Sequence, residues 1–395
     1  MPGGEQTESL QRRIAELEDE QAELTMTIGG EQRMGGGERF DVVQPHDHRH
    51  VLGTGANATN DDVAAAVRAA KEAAPAWRAL SYDERAAVLE RAADLLAGPW
   101  RDTINASTML GQSKSVYQAE IDAAAEMIDF FRFNVHYGRQ ILAEQPMSVP
   151  GMWNRMDYRP LDGFVVAIAP FNFTSIAGNL PTAPALMGNT VVWKPSPTQQ
   201  LAAHYTMRML EAAGLPPGVI NLVTGDGAAV SEVALTDPDL GGVHFTGSTG
   251  TFKRLWRTIA EHLDGYRSYP RIVGETGGKD FVVAHPSADP DAVVIGLVRG
   301  AFEYQGQKCS AASRAYLPKS LWTGMREHLA DVTRQIEYGD ITDFRLFGGA
   351  VIDDRAFGRH RDVLEKVAGE PSIEVLAGGT ADDSTGYFVQ PTVLV

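Results

Sequence analysis

GFVVAIAPFNFTSIAGNLPTAPALMGNTVVWKPS, residues 163–196, is the stretch that decides the fold. It opens with a short apolar run, GFVVAIAP, bounded by Gly163 and Pro170, and returns to a second one, NTVVWKP, after a helix-like segment. Neither run alternates apolar with polar residues. Uniformly apolar, β-branched runs of this length mark strands buried on both faces, as in parallel sheets covered by helices. The alternation then continues. QQLAAHYTMRMLEAAG (199–214) reads as a helix ended by Gly214, GVINLVTG (218–225) as a strand, and AAVSEVALT (228–236) as a helix. GGVHFTG (241–247) reads as a strand and TGTFKRLWRTIAEHL (249–263) as a helix. Four such alternations predict an α/β, doubly wound, Rossmann-like domain, with its ligands at the C-terminal ends of the strands.

Working outward, Leu10, Ile14, Leu17 and Leu24 fall at helical spacing in a charged segment, which predicts an amphipathic surface helix rather than a coiled coil. Gly29-Gly30 and Gly35-Gly36-Gly37 predict a hairpin-like connection. His46, His48 and His50 alternate in PHDHRH without the accompanying cysteines or carboxylate cluster of a metal site, and no metal is expected. DDVAAAVRAAKEAAPAW predicts a helix punctuated by Pro75, YDERAAVLERAADLLAG one capped by Gly98, and residues 115–138 a third. Residues 141–163, with three internal prolines, read as extended segments. RIVGETGGKD (271–280) opens a second α/β unit. The expected division is 1–60 for an N-terminal helix and extended segment, 61–273 for the nucleotide-binding domain, and 274–395 for the second domain.

The bulk numbers exclude several classes. The chain has 395 residues, too many for one ordinary core. Its 35 basic and 51 acidic side chains give a net charge of −16, which argues against nucleic acid or an acidic membrane surface as partner. A single cysteine forms no internal disulfide. No apolar run approaches the ~18 residues of a membrane span, and the N-terminus lacks the apolar core of a signal peptide. A soluble, cytoplasmic protein is expected.

Five places carry candidate chemistry. FTGSTGTFKRL (245–255) sets Gly247, Ser248, Thr249, Gly250 and Thr251 between a strand and a helix N-terminus, a geometry suited to pyrophosphate but short of the usual glycine fingerprint. Lys194 stands where a strand runs out, within reach of ribose hydroxyls, or is a surface lysine. Asn172 follows the first strand as an oxyanion donor or an Asx-turn residue. Glu275, in a glycine-rich stretch, is a partly desolvated general base or a loop carboxylate. Cys309 in YQGQKCSAAS (304–313) is a buried filler or a nucleophile at a helix start, with Lys308 adding positive charge.

In that order APFNF, WKPS, FTGST, GETGGK and GQKCSAASR resemble the aldehyde dehydrogenase superfamily. QAEIDAAAEMIDFFRFN (118–134) and AFEYQGQKCSAASR (301–314) are similar, more narrowly, to the 1-pyrroline-5-carboxylate dehydrogenases. The resemblance runs from about Leu10 to Val395. It implies NAD-dependent oxidation of L-glutamate γ-semialdehyde to L-glutamate, with NAD rather than NADP taken from the family. Cys309 would be the nucleophile, Asn172 with the Cys309 backbone N–H the oxyanion donors, and Glu275 the activator of hydrolytic water. Lys194 would hold the adenosine ribose and residues 247–251 would line the dinucleotide site. Glu126, Phe173 and Ser310 would face the substrate, a small-molecule aldehyde.

The resemblance also implies that relatives continue past YFVQPTVLV (387–395) with a Glu-Ile-Phe-Gly-Pro motif for the nicotinamide ribose, a substrate-carboxylate loop and a tail that pairs subunits. The expectation is therefore a C-terminally truncated member, its catalytic domain incomplete, and a homo-oligomer in the full-length form. The alternatives are an inactive nucleotide-binding fragment and an aldehyde dehydrogenase for another short aldehyde.

Overall fold

A computed structural model describes residues 3–395. The chain begins with α1 (Glu5–Glu20), then β1 (Ala22–Leu24), β2 (Met26–Ile28), β3 (Glu31–Arg33), β4 (Arg39–Gln44) and β5 (Asp47–Ala56). Helices α2 (Asn60–Ala79), α3 (Tyr82–Ala97), α4 (Arg101–Gln112) and α5 (Val116–Ala119) follow. A π-helical turn over Glu120–Ala125 leads into α6 (Glu126–Ala143). The alternating region is β6 (Phe164–Ile168), α7 (Thr174–Leu186), β7 (Thr190–Lys194), α8 (Gln200–Ala212), β8 (Ile220–Leu222), β9 (Leu240–Gly247), α9 (Thr249–Glu261) and β10 (Arg271–Thr276). The second unit holds β11 (Asp280–Val283), α10 (Pro290–Phe302), β12 (Ala312–Tyr316), α11 (Lys319–Arg334), α12 (Asp354–Ala368), β13 (Val375–Ala377), β14 (Ala381–Asp382), β15 (Phe388–Val389) and β16 (Val393–Leu394).

The central sheet runs β10-β9-β6-β7-β8-β2-β3. Strands β10 to β8 are mutually parallel, as the uniform apolarity of residues 163–196 requires, and all five residues of both β6 and β7 are buried. Alternate side chains feed two cores. Val165, Ala167, Val191 and Trp193 pack with α1, α3, α4, α6, α7 and α8, while Phe164, Val166, Ile168 and Val192 pack with α2 and α9. Each fully buried aliphatic side chain contributes about 1.5–3 kcal/mol of transfer free energy.

Several local expectations are corrected. Leu24 is not on the N-terminal helix: Gln21 adopts the left-handed conformation, α1 stops at Glu20, and Leu24 lies in β1. The Gly29-Gly30 hairpin forms, but as the antiparallel β2–β3 edge of the central sheet, so residues 26–33 complete the domain expected to begin at 61. Pro75 does not end α2. Its cost of about 3 kcal/mol is offset by buried Trp77, whose indole N–H donates to the Ala185 carbonyl at 2.8 Å, and by the Thr59/Asp62 capping box. Helix α4 is missing from the expectation because every residue from Ile104 to Gln112 is buried, leaving no polar stripe to read. Residues 230–234 are π-helical rather than α-helical. Residues 144–160 form no strand, only a bridge between Val149 and Met152. The three histidines go to separate partners: His46 to Ser113, His48 to the Asp383 carbonyl and His50 to the Glu18 carbonyl.

One glycine in the deciding stretch is obligatory. Gly163 has φ +121°, and a Cβ there would lie 1.9 Å from the Asp239 carbonyl oxygen. Gly163→Ala is expected to destabilise the chain by about 2–4 kcal/mol, read as a lower midpoint in urea unfolding; an unchanged midpoint would contradict this.

Candidate active site

The parallel register gathers the candidates at one edge. Ile168 lies beside Lys194 and Phe245, Glu275 beside Thr246, and Thr276 beside Gly247. Strands β6, β7, β9 and β10 therefore end together, where an open α/β sheet binds ligands. Asn172 follows β6, Lys194 closes β7, Gly247 closes β9, and Glu275 is the penultimate residue of β10. Glu275 is thus in a strand rather than a flexible loop. It is exposed, not partly desolvated, because β10 is an edge strand covered on one side by β9 alone.

Beyond β9, Ser248 caps α9, its hydroxyl accepting from the Thr251 N–H at 3.1 Å. Ser248, Thr249 and Gly250 are exposed around the positive end of the helix dipole. Lys194 is buried. It donates one hydrogen bond, 3.2 Å to the Gly225 carbonyl, and its other hydrogens have no partner among the described residues. Burial pulls its ammonium down to about 8, against the opposing charge of Asp226. An incompletely partnered buried ammonium at a strand end, beside an open helix N-terminus, fits a dinucleotide with ribose and pyrophosphate groups.

Cys309 reaches this edge from the second unit. After α10, Tyr304, Gln305 and Gly306 turn the chain back with φ of 48°, 54° and 69°. The half-buried cysteine lies in the turn closed by the Ala311 N–H to the Lys308 carbonyl at 3.1 Å, just before β12. It is not at a helix start; the helix precedes it and a strand follows. Lys308 is not free to act on the thiol either, since its ammonium pairs with Asp122 at 3.1 Å and with Glu303 at 3.9 Å.

Two contacts bring the candidates together. The Asn172 side-chain amide donates to the Gln307 carbonyl at 2.9 Å. After Glu275 the chain passes so close to the cysteine that a Cβ on Gly278 would lie 2.7 Å from the Cys309 carbonyl oxygen, a gap that only glycine fills. On the other side, Glu126 opens α6 and accepts from the Ser175 hydroxyl at 2.5 Å; burial raises its carboxyl, partly countered by Ser175. Phe173 is buried with the Lys114 ammonium 4.3 Å and the Lys308 ammonium 5.6 Å from its ring centre. Ser310 is exposed.

Many known proteins resemble this chain in sequence and fold. The aldehyde dehydrogenase family model matches residues 32–395. The chain belongs to the aldehyde dehydrogenase family. It is 44% identical over 393 residues to a mitochondrial delta-1-pyrroline-5-carboxylate dehydrogenase of Danio rerio, covering 99% of this chain and 70% of that protein. Its fold superposes with a TM-score of 0.99 and 63% identity on the delta-pyrroline-5-carboxylate dehydrogenase of Mycobacterium tuberculosis bound with NAD, covering 100% of this chain and 74% of that one. A 1-pyrroline-5-carboxylate dehydrogenase from Thermus with bound NAD gives a TM-score of 0.92 at 28% identity, over 100% of this chain and 76% of that one.

Sequence reading did not single out three buried residues that pack beside these candidates: Lys114, Asp122 and Tyr304. The Lys114 ammonium donates to Asp122 at 2.6 Å and lies 4.3 Å from the Tyr304 ring centre. Burial lowers Lys114 to about 8 despite the Asp122 charge. A lysine eight residues before an aspartate carries no signal of its own; the π-helical turn brings them together.

Proposed function

We propose that this chain oxidises L-glutamate γ-semialdehyde, the open form of 1-pyrroline-5-carboxylate, to L-glutamate with NAD, as a step of proline catabolism. The observation that carries the reading is the convergence of Asn172, Cys309 and the segment after Glu275 at one sheet edge. The Cys309 thiolate attacks the aldehyde carbon and forms a thiohemiacetal. One hydrogen of the Asn172 amide is committed to Gln307; the second, with the Cys309 backbone N–H, stabilises the oxyanion. Bound NAD supplies the hydride acceptor. Lys194 holds its ribose, and residues 247–251 receive its pyrophosphate. A thioester on Cys309 remains, and Glu275 activates the water that hydrolyses it. Glu126 receives the substrate ammonium, with Phe173 and Ser310 completing that side.

The test is formation of reduced cofactor from glutamate semialdehyde by the purified chain, with a panel of other short aldehydes alongside. A better rate on another aldehyde would reassign the substrate. Asn172→Ala is expected to lower kcat by about 10²–10³-fold with cofactor affinity unchanged; a drop of less than threefold would remove Asn172 from the oxyanion site. The exposed apolar side chains Tyr137, Ile141, Met147, Met152 and Trp153 support assembly into a homo-oligomer, which light scattering tests. Among the described residues no helix is long and apolar enough to cross a membrane. A cytoplasmic location belongs to the same proposal, and cell fractionation tests it.

A further inference from the structure

One carboxylate ties the turn that carries the proposed nucleophile to the helical segment packed beside it. Asp122 lies in the π-helical turn before α6 and is 2% exposed. π-Helical turns concentrate at functional sites because the extra residue re-aims the side chains around it. A single oxygen of Asp122 faces two ammonium groups, Lys114 at 2.6 Å and Lys308 at 3.1 Å. Lys308 immediately precedes Cys309. Lys114 holds the other end of the same turn, lying over the ring of Tyr304, whose φ of 48° is left-handed, as is that of Gln305. Two successive non-glycine residues in that region persist only where their surroundings over-determine them. Both lysines also lie against Phe173, next to Asn172. One turn beyond Asp122 on the same side of the helix stands Glu126.

We infer that Asp122 is a positioning residue: its carboxylate clasps Lys114 and Lys308 and so holds the Cys309 turn in register with Asn172 and Glu126. This rests on the proposed role of Cys309. The clasp explains why a lysine beside the cysteine does not point its charge at the thiol. It also explains why a lysine is buried completely beneath the turn. Removing the carboxylate leaves two ammonium groups without their shared anion. The turn is then free to move, and a thiol that is still reactive no longer meets its partners at the right distance.

The test uses the fact that Cys309 is the only cysteine, so alkylation by iodoacetamide reports this one turn by mass spectrometry. In Asp122→Asn, alkylation of Cys309 is expected to speed up at least fivefold. Turnover of glutamate semialdehyde is expected to fall at least tenfold in kcat, with KM for NAD within twofold, and Asp122→Glu is expected to recover part of the loss. Lys308→Met cuts the same link from the more exposed end and should give the same pair of changes even if Asp122→Asn folds poorly. The double variant should be no worse than the worse single one. Alkylation rates within twofold of the parent in both single variants would overturn the clasp, as would losses that multiply in the double variant. Full turnover by Cys309→Ala would instead remove the nucleophile reading, while the alkylation comparison on the parent still judges the tether.

Discussion

Cys309→Ala is expected to lower oxidation of glutamate semialdehyde by about a thousandfold or more, the usual cost of deleting a covalent nucleophile whose partners act as a unit. The chain has no second thiol to take over. The half-buried side chain has no hydrogen-bond partner among the described residues whose loss would disturb the turn, and the fold around it is held by other groups: Asn172 on Gln307, Gln307 on the Ile352 N–H at 3.0 Å, and Lys308 on Asp122. The unfolding midpoint should therefore stay within about 1 kcal/mol of the parent, and NAD, which in the proposed mechanism Lys194 and the α9 N-terminus would hold, should still bind. Rate, urea midpoint and cofactor fluorescence titration separate these outcomes. Turnover within tenfold of the parent would mean that the aldehyde is activated without a thiol.

The central sheet was readable because strands buried on both faces are written as uninterrupted apolar runs, and GFVVAIAP and NTVVWKP are such runs. Their order then placed Asn172, Lys194 and Gly247 at one edge, since parallel strands end together. What stayed hidden depended on contacts distant in sequence. β2 and β3 join the sheet through a single pairing of Thr27 with Leu222, which no local pattern announces. Helix α4 is buried on all sides and so lacks the stripe that marks a surface helix. Pro75 reads as a stop signal, yet Trp77 two residues on is buried deeply enough to carry the helix past it. Lys308 read as an activating charge because its neighbour in sequence is Cys309; its neighbour in space is Asp122, 186 positions earlier. Charges are assigned by the fold, and a lysine with two carboxylates at hand is held by them before it acts on a thiol.

Glu275→Gln is expected to separate the two halves of the reaction. Attack by Cys309 and loss of hydride need no base at position 275 in the proposed mechanism, whereas hydrolysis of the thioester needs an activated water. The variant should release one equivalent of reduced cofactor per chain in a burst and then turn over about 10²–10⁴-fold more slowly than the parent. Glu275 is suited to that late step by its place in the fold. It sits at the end of an edge strand, exposed, so water reaches it without crossing a lid. Three residues on stands Gly278, whose missing side chain lets the Cys309 carbonyl approach. The amide of glutamine keeps the shape and loses the basicity, so packing at β10 is undisturbed and the unfolding midpoint should not move. Mass spectrometry of the quenched reaction should find the acyl group on Cys309. A steady-state rate equal to the parent would assign the water to another group; loss of the burst together with turnover would place Glu275 before the thioester, in deprotonating the thiol.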